Sequence, residues 1–160
     1  MLKSILSNKD CAACKFCCSF RRKSLWETPI FDRKTQENLE KKYPEAKFKA
    51  IGEKSFTVDL IHLYKTGDSE EEAPCPFLGE NGCILSSDEK PFDCSIWPLR
   101  ATKINEEIRI MLENTCPVLN RQPIQNIEKL VKSGVGEKII AYAKENPDSI
   151  KEIKPGFRIF

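Results

Sequence analysis

The first stretch with a helical rhythm opens at Asp32, continues through Thr35, Gln36, Glu37, Leu39 and Tyr43, and stops at Pro44, which predicts a short amphipathic helix. The period then changes to two. In "KFKAIGEKSFTVDLIHLYK" Phe56, Val58 and Leu60 share one parity, predicting two strands around Gly52 with a half-buried face. His62 falls in the second strand, alternating with Leu60 and Tyr64, and reads as an ordinary strand histidine. "TGDSEEEAP" is an acidic loop bounded by Gly and Pro, and "CPFLGENGC" carries an Asn81-Gly82 turn that brings Cys75 and Cys83 near each other. Pro91 and Pro98 limit any helix between them to a turn or two, and "LRATKINEEIRIMLE" reads as a hairpin turning near Asn105 and Glu106. From Pro123 onward the helical period returns, first in Ile124, Ile127, Leu130 and Val131, then in Ile139, Ile140, Tyr142 and Ala143. Ser133-Gly134 and Gly136 separate the two runs, and the tail "KPGFRIF" is either a docked strand or frayed.

These elements predict an α+β fold: one small domain over residues 1–160 with short antiparallel strands, irregular cysteine-rich loops over about 11–118 and a helical segment over about 123–160. A chain of 160 residues is long enough for a real core, since folding at this size hides roughly 70% of the extended surface. A composition 40% apolar and 31% charged argues against disorder, and no apolar run reaches the length of a bilayer crossing. The net charge of +2 does not point to nucleic acid or an acidic substrate. "MLKSILSNKD" lacks the continuous apolar run of a signal peptide, so a cytoplasmic protein is expected. In that reducing compartment, eight cysteines favour metal ligation over disulfides.

Four of those cysteines, Cys11, Cys14, Cys17 and Cys18, crowd into "CAACKFCC"; the others are Cys75, Cys83, Cys94 and Cys116. A pair two residues apart lets a tight backbone knuckle aim both sulfurs at one ion while main-chain N–H groups steady the thiolates. Cys11, Cys14 and Cys17 repeat that bite with the opening spacing of bacterial ferredoxins, where three thiolates hold a four-iron cube and a Cys-Pro supplies the fourth ligand. Cys75-Pro76 and Cys116-Pro117 are the two such dipeptides available. Cys17 and Cys18 are adjacent, so their side chains diverge and tend to serve different centres. All eight cysteines are therefore expected to be metal ligands, holding an iron–sulfur cluster of the 4Fe–4S type or zinc, because thiolate-only ligation suits both.

"CAACKFCC", "CPFLGENGC", "KPFDCSIWP" and "TCP", taken in order, resemble the YkgJ-type cysteine-cluster family, whose members are described as zinc- or iron-chelating and carry a CxxCxxCC motif. The resemblance covers residues from about 11 to about 118 and implies a cysteine-coordinated metal centre in a cytosolic protein. Related proteins are often labelled iron–sulfur oxidoreductases, and a similar cluster accompanies flagellin lysine methylation. The sequence departs from the family pattern at Lys90, where an arginine before proline is usual, and at Ser95, where an arginine often follows the cysteine.

Other features carry less chemistry. The Cys-x3-Cys-x2-Cys triplet of radical S-adenosylmethionine enzymes is absent, because Arg21 stands where its third cysteine would fall, and a single histidine excludes a Cys2His2 finger. "RRK" at 21–23 is read as offsetting the charge of clustered thiolates, and "SEEE" at 69–72 as a solvated loop. Phe92 and Trp97 flank Cys94 and are expected to shield a cluster from water. No nucleophile with a general base, Gly-rich phosphate loop or paired-carboxylate motif stands out, which leaves the chain without a catalytic motif. The expected role is electron transfer or maturation of a partner protein, as an oxidoreductase or an accessory of a modification system; the alternative is a structural zinc module with two four-cysteine sites presenting a protein-binding surface. Neither membrane nor nucleic acid is an expected partner.

Overall fold

The computed structural model describes residues 2, 5–22 and 24–160. Its mix of helices with exclusively antiparallel strand pairs is the expected α+β class. The chain packs as two compact units, Asn8–Cys94 and a second made of Met1–Ser7 with Ser95–Phe160. In the second unit the 99–112 hairpin packs with the C-terminal helix over 136–145.

In the Asn8–Cys94 unit the elements are α1 (Asn8–Cys14), β1 (Ser19–Arg21), β2 (Phe31–Asp32), α2 (Arg33–Lys42), β3 (Phe48–Ala50), β4 (Ser55–Val58), β5 (Glu72–Pro74), β6 (Leu78–Gly79) and β7 (Gly82–Cys83), with α3 (Phe92–Ile96) at its end. The predicted helix forms as α2: the Asp32 carboxylate caps it by accepting from the Thr35 N–H at 2.8 Å, and Lys41 and Lys42 stand in the last turn where the helix dipole favours them. β4 lies between β2 and β3. The second predicted strand is shorter than its alternation implies. It stops at Val58, the Asp59 carboxylate accepts the Ile61 N–H at 3.2 Å, and Ile61–Leu63 coils into a 3-10 turn that leaves His62 exposed rather than in a strand.

Phe20, Phe31, Leu39, Val58, Leu60, Phe77 and Leu85 form the core of this unit. The rings of Phe31 and Phe48 meet edge to face at 5.1 Å, and Tyr43 meets Phe77 at 5.5 Å, geometries in which a ring edge faces a neighbour's π cloud. Each buried ring contributes on the order of 2 kcal/mol by leaving water. This core holds the bases of the cysteine loops.

The second unit is more regular. β8 (Leu99–Ile104) and β9 (Glu107–Leu112) pair along their whole length, turning through Asn105 and Glu106 at φ 48° and 66°, both left-handed as a two-residue hairpin demands. α4 (Pro117–Asn120), α5 (Ile124–Leu130) and α6 (Gly136–Glu145) follow, and the tail docks on β9 as β10 (Arg158–Ile159). Between α5 and α6, Ser133 and Gly134 leave helical geometry, with Gly134 at φ 102°, a conformation that suits glycine. Among the described residues no helix is long and apolar enough to cross a membrane.

Candidate metal centre

The "CAAC" stretch forms α1, a helix, instead of the expected knuckle. Asp10 in its first turn and the consecutive alanines Ala12 and Ala13 favour helix, and the three-residue spacing keeps Cys11 and Cys14 on one face. Lys15 ends the helix in the left-handed region at φ 54°, and Phe16–Cys18 forms a 3-10 turn. That turn carries Cys17 and Cys18 directly into β1.

Two pairings then bring the next cysteines to the same place. β1 runs antiparallel to β5 with Ser19 opposite Pro74, and the Cys75 N–H continues the ladder by donating to the Cys18 carbonyl at 2.8 Å. Cys75 itself opens a turn in which the Leu78 N–H donates to the Cys75 carbonyl at 2.9 Å. Leu78 in turn stands opposite Cys83 in the β6–β7 hairpin. The Glu80-Asn81 loop of that hairpin is held by the Lys15 ammonium, which donates to the Glu80 carbonyl at 2.9 Å. Gly82, at φ 96°, lies against α1: a Cβ built there would sit 3.2 Å from both Cα and Cβ of Ala12. A glycine is needed at this position both for its φ and for the close approach.

Cys75 is the inner thiol, partly buried against the core. Burial pushes its pKa up to about 12, the Phe77 N–H on its sulfur opposes that shift, and neighbouring Cys83 and Cys17 push the pKa further upward. Cys11, Cys14 and Cys83 are exposed, and Cys17 and Cys18 half-buried. Cys94 is exposed on α3, next to buried Asp93, whose carboxylate accepts the Ile30 N–H at 3.0 Å and ties this short helix to the entry of β2. Cys116 belongs to the other unit, half-buried at the N-cap of α4.

None of the eight cysteines is in a disulfide. Among the described residues no three Cys, His, Asp or Glu side chains already surround a point where one ion could bind. The donor set nevertheless suits a soft metal: several thiols, one backed by a backbone N–H, and His62 exposed in a separate turn.

The flanking charges are spent differently from expectation. Arg21 pairs with Glu27 and with Glu70 at 2.9 Å, and Arg22 with Glu71 at 2.9 Å, so the acidic run, exposed at Ser69, Glu70 and Glu72 as a solvated loop is, also supplies ionic partners to the basic run. Glu71 also accepts from the Lys65 and Thr66 N–H groups at 2.6 and 2.8 Å, which together with Arg22 hold its carboxyl at a pKa of about 2. Lys23 lies outside the described residues. In the second unit the Trp97 ring carries the Arg100 guanidinium over its face at 4.5 Å. Arg100 and Glu113 form an ion pair at 3.2 Å in which both side chains are buried, a feature the sequence reading missed. Its signal was available as an arginine inside an otherwise apolar strand start and a glutamate just past the facing strand.

Comparison with protein-family models, with curated proteins and with solved structures gave no match.

Proposed function

We propose that the cysteine loops bind a thiolate-ligated metal, an iron–sulfur cluster, and that the protein serves electron transfer or the maturation of a partner protein. What supports this reading is one observation: the Cys75 N–H on the Cys18 carbonyl at 2.8 Å and the Leu78–Cys83 register put the segments carrying Cys17, Cys75 and Cys83, up to 66 positions apart in the chain, side by side. The resemblance to the YkgJ-type family carried by "CAACKFCC" and the Cys-Pro dipeptides points the same way.

In this reading Cys11, Cys14, Cys17, Cys18, Cys75, Cys83, Cys94 and Cys116 are the ligands, with seven of the eight in the Asn8–Cys94 unit. When bound, an iron–sulfur cluster supplies one-electron redox chemistry. The chain supplies the rest. Burial of Cys75 lowers the local dielectric, and the Phe77 N–H stabilises negative charge on its sulfur. A neutral Cys75 thiol must lose its proton to the solvent when it becomes a ligand, so metal uptake releases protons and weakens as the pH falls.

The test is anaerobic purification of the full chain with iron, acid-labile sulfide, zinc and visible-absorption measurements. Brown protein with iron and sulfide in stoichiometric amounts is the expected result; colourless protein holding zinc and no sulfide overturns the iron–sulfur reading in favour of a structural zinc module.

A further inference from the structure

We infer that Cys17, Cys75 and Cys83 serve one and the same metal centre, lying within the Asn8–Cys94 unit, with Cys75 as its inner ligand and Cys83 at its solvent side. The inference rests on the proposed function, and it answers a question spacing alone leaves open: which sulfurs belong together.

Three independent constraints converge on it. The ladder contact from the Cys75 N–H to the Cys18 carbonyl at 2.8 Å sets Cys75 beside the 3-10 turn that carries Cys17. The turn from Cys75 to Leu78, followed by the Leu78–Cys83 register, brings Cys83 back to Cys75 after a short hairpin. The packing of Gly82 on Ala12 then prevents that hairpin from swinging away from α1 and the turn beyond it. Cys75 packs against the core, whereas Cys83 is exposed and Cys17 half-buried, so the proposed ligation requires the Cys83 and Cys17 side chains to turn toward Cys75. In a 3-10 turn successive side chains diverge by about 120°, which directs Cys18 away from Cys17. On ligation each thiol gives its proton to water and a sulfur electron pair to the metal, with no change of oxidation state.

The experiment uses cobalt(II) added to the reduced, metal-free full chain, because its sulfur-to-metal absorption reports thiolate ligation whichever metal the protein holds in the cell. Cys17→Ser and Cys83→Ser are each expected to abolish the same cobalt equivalent, and the double variant to lose no more than either single one. In parallel, one equivalent of cobalt is expected to protect Cys17, Cys75 and Cys83 together from alkylation, read by mass spectrometry on the unmutated protein, where no variant has to fold. Losses that add in the double variant, or protection of Cys75 and Cys83 at different equivalents, overturn the assignment. Absence of iron and sulfide from the native protein would overturn the iron–sulfur reading instead, leaving the cobalt result to decide the grouping.

Discussion

The Asn8–Cys94 unit and the Ser95–Phe160 region solve the same problem of covering a core in opposite ways. In the second, six-residue strands β8 and β9 and the ten-residue helix α6 bring their own hydrogen-bond ladders and apolar faces. In the first, β1, β5, β6 and β7 are only two or three residues long, and the unit carries seven thiols on these short elements and the turns and short helices beside them. Short strands fix few backbone groups per turn of chain, so such loops depend on side-chain contacts or on a ligand for order. Regularity offsets chain entropy in one region; in the proposed reading a metal held by the thiols offsets it in the other.

The widest separation between the two regions is expected on metal removal. Chelation should lower the stability of the Asn8–Cys94 unit by up to about 10 kcal/mol, as for small thiolate-metal domains, while amides of β8 and β9 keep their protection; hydrogen exchange with and without metal reads both at once. Equal loss of protection in the two regions would erase the contrast. Next in size, Leu99→Ala in the fully buried start of β8 should cost about 3 kcal/mol in urea unfolding and leave the cobalt equivalent assigned to Cys17, Cys75 and Cys83 unchanged, because the damage is to a unit that holds none of those three thiols.

The pH response sharpens the comparison further. Burial raises Glu113 from its ordinary 4.5 to about 7 against the opposing pull of Arg100. A folded-state pKa above the unfolded one means that the stabilisation is complete below about 4.5 and is lost as pH rises through about 7. Thermal unfolding followed on signals from this region should therefore show declining stability over that window, and Glu113→Gln should flatten the slope even though it costs Arg100 its charged partner. The Cys75 thiol responds in the opposite sense, since raising the pH favours the thiolate and metal uptake. The smallest effect is expected at the hairpin tip, where Glu106 adopts φ 66°: Glu106→Gly should stabilise by about 1 kcal/mol by relieving left-handed strain, measured as a shift in the urea midpoint.

Local chemistry made much of the fold legible. Asp32 and Thr35 announce α2 because a cap needs only neighbours three residues apart. Asn105-Glu106 and Ser133-Gly134 mark a hairpin and a helix break for the same local reason. Signals failed where a side-chain contact overrode the pattern, whether local or distant. The strand predicted through His62 is cut at Asp59 by a side-chain hydrogen bond, and the basic run at Arg21 and Arg22 is claimed by Glu70 and Glu71, nearly 50 positions on. The α-helical form of the Cys11–Cys14 pair was hidden because a seven-residue helix is too short to show a period.

By itself, then, the chain determined its α+β class, its turns and caps, and the presence of eight thiols in a spacing suited to soft metals. Only the tertiary structure decided that Cys75 would be the inner thiol, that Cys17 and Cys83 would be its neighbours, and that Arg100 would be buried on Glu113. The physical reason is one of range: caps and turns are settled by groups a few residues apart, whereas burial and the mutual effect of charges depend on which distant segments the packing brings together.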